Sequence, residues 1–136
     1  MIKLCYKEYD YKMSLGACKS FFDSTGLDLQ TFLMDYISCW VKNSEESLLD
    51  RLIALSKLYT RDICCHAFYS LIKEKQDGIS LSEIQDATYR VSWVQSQRDD
   101  DMSEPYPIVL LNLALEINDY FYKNSDKKKR IQRTNK

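Results

Sequence analysis

The chain has 136 residues, of which 45% are hydrophobic and 29% are charged, and its formal net charge at pH 7 is −1. This length and composition are typical of one globular domain with one core. No run of about 18 apolar residues occurs, which excludes a membrane-spanning helix. The low content of 3 Gly and 2 Pro favours helices over a turn-rich β fold.

Cysteine usage leads to an expectation about the compartment. The sequence has five cysteines, an odd number, and it lacks the basic start and apolar run of a secretory signal. Free thiols are typical of a reducing cytoplasm. We therefore expect a cytoplasmic protein with unpaired cysteines, at Cys5, Cys18, Cys39, Cys64 and Cys65.

Charge is unevenly distributed along the chain. Residues 123–136 contain seven Lys or Arg against Asp126, a net charge of +6, which leaves −7 for the other 122 residues. The segment from residue 125 also has little apolar surface to bury. The pattern predicts an acidic body followed by a disordered basic tail.

The first 13 residues, MIKLCYKEYDYKM, are the best β candidate. Apolar and polar residues alternate there, as in a half-buried strand. We expect a short hairpin with its turn near Lys7 and Glu8. Because an isolated two-stranded hairpin is marginally stable, it has to pack on a helix.

Two helices with clear boundary signals follow. Ser14 can cap the first by accepting a backbone N–H bond, and Gly26 suits the left-handed residue that ends it. Asp28 can cap the second. The apolar residues of the two helices are Leu15, Cys18, Phe21 and Phe22, then Leu29, Phe32, Leu33, Tyr36, Ile37 and Trp40.

A third helix is predicted to begin at Ser44. Glu45 and Glu46 would then lie at its positive end, where acidic residues are favourable. Its predicted apolar side comprises Leu48, Leu49, Leu52, Ile53 and Leu55.

Three further helices are predicted in the rest of the chain. A fourth spans 60–78, and a fifth starts at Ser80 or Ser82 and continues to residue 97. After the polar loop RDDDMSEP, Pro105 and Pro107 occupy the first turn of the last helix, where proline is tolerated. We expect this last helix to be the most buried, through Ile108, Leu110, Leu111, Leu113, Leu115, Ile117 and Phe121.

The sequence thus predicts a mainly α fold. We expect a compact bundle of about five to six helices preceded by a short N-terminal β-hairpin. Residues 1–124 would form a single helical domain, and residues 125–136 a disordered basic tail.

Motifs for catalysis or metal binding are weak. Cys64, Cys65 and His66 are consecutive, so on a helix they point about 100° apart and cannot converge on one metal ion. The acidic run at 99–101 lacks the glycine and the final glutamate of a calcium loop, and neither a P-loop nor GxGxxG occurs. We therefore predict no enzyme activity, no cofactor and no metal site.

With catalysis disfavoured, we expect a helical protein that binds partners through an apolar face. Two stripes are candidates, one over residues 21–40 and one on the last helix. Periodicity does not distinguish core from interface, so at least one stripe must be core. The candidate partner-binding residues are Phe21, Phe22, Phe32, Tyr36, Trp40, Tyr106, Leu110, Leu113 and Ile117, with Tyr120 beside them.

Several segments occur in an order that is shared with a known family. A strand-like start is followed by SLGACKSFFDSTGLDLQTF (14–32), which contains a small-residue helix start, a Lys and a Phe, and a Thr-Gly-x-Asp-Leu junction. GISLSEIQDA (78–87) and EPYPIVLLNLALEIN (104–118) come later. In these pieces the chain resembles, over about residues 1–122, the tail assembly chaperones of long non-contractile-tailed bacteriophages, the lambda-like siphophage family.

The resemblance implies a non-enzymatic assembly factor of the host cell cytoplasm. Such a protein binds the long tape measure protein, keeps it soluble and is not part of the mature virion. An extended form would recruit tail tube subunits. The resemblance also implies a homo-oligomer and no membrane partner.

In this family the gene commonly carries a programmed −1 frameshift near its 3′ end, which yields the longer product. Three successive lysines, Lys127 to Lys129, are compatible with an A-rich slippery run. The lysines of the basic tail would then partly result from the nucleotide sequence that causes the frameshift.

Two alternatives belong to other classes. The first is a small helical nucleic-acid-binding or regulatory protein that uses the basic tail on phosphates. We do not expect nucleic acid as the main partner, because the body is acidic and the tail has no interleaved aromatics for stacking. The second is an enzyme with Cys65 as nucleophile and His66 as base, which would show rapid alkylation of one thiol.

Overall fold

The computed structural model describes the backbone of residues 1–5, 7–91 and 104–134, and the side chains of these ranges up to residue 121. The chain is mainly helical and begins with a short antiparallel hairpin, which confirms the predicted fold class. The hairpin pairs β1 (Ile2–Leu4) with β2 (Lys7–Tyr9). Ile2 lies opposite Tyr9, and both side chains are buried.

The hairpin turn lies two residues earlier than predicted. Leu4 pairs with Lys7, so Lys7 and Glu8 belong to β2 and the turn lies before them, after Leu4. Cys5 has a φ of 58°, as expected because two-residue hairpin turns need left-handed residues. The register is set by the burial of Ile2 against Tyr9 and not by the position of the charged residues.

Six helices follow in the described residues: α1 (Leu15–Thr25), α2 (Leu29–Lys42), α3 (Leu48–Leu58), α4 (Arg61–Ile72), α5 (Leu81–Arg90) and α6 (Tyr106–Thr134). The predicted boundary between α1 and α2 is confirmed. The Ser14 hydroxyl accepts a hydrogen bond from the Ala17 N–H at 3.1 Å, and Gly26 ends α1 with a φ of 75°. The Asp28 carboxylate caps α2 by accepting from the Thr31 N–H at 2.9 Å.

The observed bounds of α3 and of α4 each differ from the prediction at one end of the helix. α3 begins after Ser47, whose hydroxyl accepts from the Asp50 N–H at 3.2 Å; the predicted start at Ser44 was wrong because the cap next to the apolar run is the one used. α4 ends at Ile72, not near Gly78. Ile72 is the last buried residue of α4, and the polar segment after it has no apolar side chain to pack.

α5 begins after Ser80, one of its two predicted caps. The Ser80 hydroxyl accepts from the Glu83 N–H at 3.1 Å. The predicted continuation to residue 97 and the acidic run at 99–101 lie outside the described residues.

α6 begins after Pro105, with Pro107 in its first turn as predicted. The Tyr106 N–H donates to the Val91 carbonyl at 3.0 Å, which joins the start of α6 to the end of α5. The helix continues to Thr134, so the backbone of residues 125–134 is helical where the sequence predicted a disordered tail. Extension of a formed helix avoids the cost of nucleation, and Lys, Arg and Gln have good helix propensity.

The core lies where the hairpin meets the helices. α4 packs on α1 and α5, α2 packs on α3 and α6, and α6 also contacts β1. Within the described part of the chain, no helix combines the length and apolar character needed to cross a membrane. The largest fully buried side chains are Ile2, Leu4, Tyr9, Phe21, Leu29, Phe32, Tyr36, Leu55, Phe68, Leu71, Ile72 and Ile84.

Candidate partner interface

Cys64, Cys65 and His66 are consecutive residues of α4. Cys64 and Cys65 are buried in α4, and burial raises the pKa of both thiols, that of Cys64 to about 12. His66 Nε2 lies 3.8 Å from Asp62 Oδ2, one turn away on the same helix. In the described residues, no group of three or more His, Cys, Asp or Glu is arranged to hold a metal ion.

The first predicted binding stripe is mostly core. Phe21, Phe32 and Tyr36 are fully buried, with ring centroids 5.0 Å apart between Phe21 and Phe32 and 5.3 Å apart between Phe32 and Tyr36. Phe22 is 58% exposed, and Trp40 is half-buried. Of this stripe, only the last two remain accessible to a partner in the folded chain.

The second predicted stripe, on α6, is also core. Tyr106, Leu110, Leu113 and Ile117 are all buried. Helix α6 packs on α2, α3 and β1. Tyr120, one turn further along, is exposed.

An exposed apolar surface lies instead on α3. Leu48, Leu49 and Ile53 are 65%, 52% and 38% exposed, and Leu52 is half-buried. Because residues four apart lie above one another on a helix, these side chains form two adjacent rows, Leu48 with Leu52 and Leu49 with Ile53. We call these four residues the α3 face.

The sequence predicted these four residues and Leu55 as the apolar side of α3, and of the five only Leu55 is fully buried. At 100° per residue, the five apolar side chains cover an arc of roughly 160°. The main neighbours of α3 are α2 and α6. They cover the edge of the arc that contains Leu55 and leave the α3 face in solvent.

Both ends of α3 are fixed to the core. The Arg51 guanidinium stacks 3.5 Å from the centroid of the Trp40 ring and donates from Nη2 to the Trp40 carbonyl at 2.8 Å. The Tyr59 hydroxyl donates to Asp35, and the Tyr59 ring packs 4.7 Å from that of Phe32. The α3 face is therefore held on a helix with a defined position.

A second apolar region lies between α2 and α6. The rings of Tyr120 and Phe121 pack edge to face, with their centroids 5.6 Å apart. Phe121 and Met34 line a groove of about 240 Å³. In this second region Tyr120 and Phe121 pack against each other, whereas the exposed leucines of the α3 face extend into solvent.

The sequence contains one local signal for the α3 face. Adjacent apolar pairs, Leu48 with Leu49 and Leu52 with Ile53, widen the apolar arc beyond what a helix at the edge of a small bundle buries. By contrast, no local signal distinguished the buried Phe21 from the exposed Phe22.

Comparison with protein-family models, with curated proteins and with solved structures found no match to this chain.

Proposed function

We propose that the protein is a phage tail assembly chaperone that binds the tape measure protein and keeps it soluble. The observation that carries the proposal is the α3 face, a set of exposed leucines and isoleucine on a helix anchored at both ends. The order of segments that resemble this chaperone family supports the same function. The deep burial of Cys64 and Cys65 argues against nucleophilic catalysis by these thiols.

The chemistry of the face fits an apolar helix as partner. Exposed apolar surface of this kind marks binding sites, and an amphipathic helix binds such a surface through residues one turn apart. A tape measure protein is long and helical and exposes apolar stripes before the tube closes around it. Uncovered stripes would aggregate, and a chaperone that covers them prevents this.

Release is as important as binding in this function. A single α3 face makes a small contact. Many copies bound along one tape measure protein would raise the overall affinity through avidity. Tube subunits, recruited by the frameshift-extended form, would then displace the copies one at a time. Self-association of the chaperone would place its copies in register along the partner.

Co-expression tests the proposed function. The tagged chain is expressed with the long tape-measure-like product encoded beside it, and the soluble fraction is purified through the tag. We expect soluble co-purification with several copies of this chain per partner. An insoluble partner, with this chain soluble alone, would contradict the proposal.

A nucleic-acid-binding function is the second candidate, and the helical backbone of residues 125–134 favours it. This segment lies within the basic region of net charge +6, and a preformed basic helix loses less entropy on binding phosphates. It predicts salt-sensitive binding to DNA or RNA that is lost when residues 125–136 are deleted. Equal weak binding by the full and the shortened chain would exclude it.

A further inference from the structure

We propose that the α3 face selects a partner helix whose apolar stripe is followed by Lys or Arg at the C-terminal end of that helix, and that this helix lies antiparallel to α3. The inference rests on the proposed function and adds the chemistry and direction of the partner segment. It follows from the charges that surround the exposed apolar residues.

Acidic side chains border the N-terminal end of the α3 face. Glu45 and Glu46 precede the Ser47 cap, and Asp50 lies in the first turn of α3. Asp50 follows Leu49 directly and is three residues before Ile53, so it lies beside their row on the helix surface. All three acidic residues are exposed.

Among the residues that the structure describes, these carboxylates have no basic partner. The ion pairs among the described residues join other groups: Lys7 with Glu83, His66 with Asp62, and Arg90 with Asp86. Asp50 is placed to interact with the positive end of the α3 dipole. Glu45 and Glu46 lie before the cap, outside the helix, and are therefore available to a partner's cations.

The opposite end of α3 carries the opposite charge. Lys57 is exposed in the last turn, so the α3 face has an acidic N-terminal rim and a basic C-terminal rim. A partner helix with its own acidic residues at the N-terminus and basic residues at the C-terminus matches these rims when it runs antiparallel. Antiparallel packing also opposes the two helix dipoles favourably.

Synthetic helical peptides test the inference. Two labelled peptides share one apolar stripe, and the positions that flank its C-terminal end are Lys in one and Glu in the other. Binding to the full chain is measured by fluorescence anisotropy at low and at physiological salt. We expect the Lys-flanked peptide to bind about tenfold more tightly at low salt, with a smaller ratio at higher salt.

A charge-reversal variant shows which residues cause the preference. In Glu45→Lys/Glu46→Lys, the preference should be lost or reversed. The matched control Asp10→Lys/Asp77→Lys makes the same change in net charge at exposed acidic residues elsewhere and should keep it. Far-UV circular dichroism verifies that both variants are folded.

The outcomes separate the inference from the proposed function. Equal binding of the two peptides, or a preference that survives Glu45→Lys/Glu46→Lys, would overturn the inference even if the chain still solubilises the tape measure protein. A clear Lys preference with an insoluble tape measure protein would support the charge selection but contradict the proposed partner. Peptides with a spin label at one end report direction, and a parallel arrangement would overturn the antiparallel orientation.

Discussion

The Arg51 guanidinium lies over the Trp40 ring, 3.5 Å from the ring centroid, and donates to the carbonyl of the same residue. This contact joins α3 to the last turn of α2, where a basic group is favourable for the helix dipole. It gives a structural role to Trp40, which the sequence placed among the partner-binding residues. The position of the α3 face thus depends on the contact between Arg51 and Trp40.

Replacement of Arg51 should loosen α3. We expect Arg51→Ala to lower the free energy of unfolding by about 1–2 kcal/mol, because it removes a stacking contact and a charged hydrogen bond. Arg61→Ala is the matched control, since Arg61 lies 4.7 Å from the exposed Tyr89 ring and should cost less than about 1 kcal/mol. Urea denaturation measures both. Equal effects of the two changes would show that the Arg51 contact has no special role.

Substitution of exposed and buried residues of α3 should change stability to very different degrees. Leu49→Glu should change the free energy of unfolding by less than about 0.5 kcal/mol, because more than half of the side chain is already exposed to water. Leu55→Ala should cost about 2–5 kcal/mol, because it leaves a cavity in the core. Thermal denaturation compares the two. A large loss of stability in Leu49→Glu would place the α3 face in the core and remove it as an interface.

High pH should destabilise the contact between the hairpin and α5. Burial, and then the hydrogen bond that the Tyr9 hydroxyl donates to Glu83 at 3.0 Å, raise the pKa of Tyr9 to about 12. Since the unfolded pKa is about 10, the stabilisation by neutral Tyr9 is complete below pH 10 and is lost as the pH rises through about 12.

Tyr9→Phe isolates this effect from that of the other tyrosines. The wild type should be about 1 kcal/mol more stable than Tyr9→Phe near neutral pH. This difference should decrease between about pH 10 and 12. A difference that stays constant over this range would show that the Tyr9 hydroxyl does not titrate with unfolding.

Thiol reactivity tests the enzyme alternative. Because burial raises the pKa of Cys64 and Cys65, we expect slow alkylation of both in the native chain at neutral pH. Unfolding in denaturant should make all five cysteines reactive. Mass spectrometry after a short exposure to iodoacetamide identifies the modified residues. Fast, selective modification of native Cys65 would instead favour a catalytic thiol.

Local chemistry made much of the fold predictable from the sequence. Ser14, Gly26 and Asp28 act on the backbone within three or four residues of their own position, so the α1–α2 boundary followed from residue type and spacing alone. The hairpin turn did not, because its position depends on which strand residues meet the core. The long α6 also depended on more than composition, since a docked helix extends more readily than an isolated segment forms one.

Local sequence patterns did not determine which apolar side chains of the helices are buried. Phe32 and Leu110 in the predicted binding stripes, and Leu48 and Leu49 on α3, are all apolar residues at helical spacing, yet the first two are buried and the last two exposed. The difference depends on which neighbours cover each side of a helix, which is a property of the whole bundle. We therefore propose α3, and not the two predicted stripes, as the partner interface.

The most direct measurement is co-expression of the tape measure protein with two variants of this chain that differ in the face they alter. Leu49→Glu/Ile53→Glu places charges on the α3 face, and Leu115→Glu places one at an exposed leucine of α6. We predict that the wild type and Leu115→Glu keep the tape measure protein soluble and co-purify with it, while Leu49→Glu/Ile53→Glu is folded but does neither. Retention of the complex by the folded α3 variant would contradict the central claim that the α3 face is the binding surface.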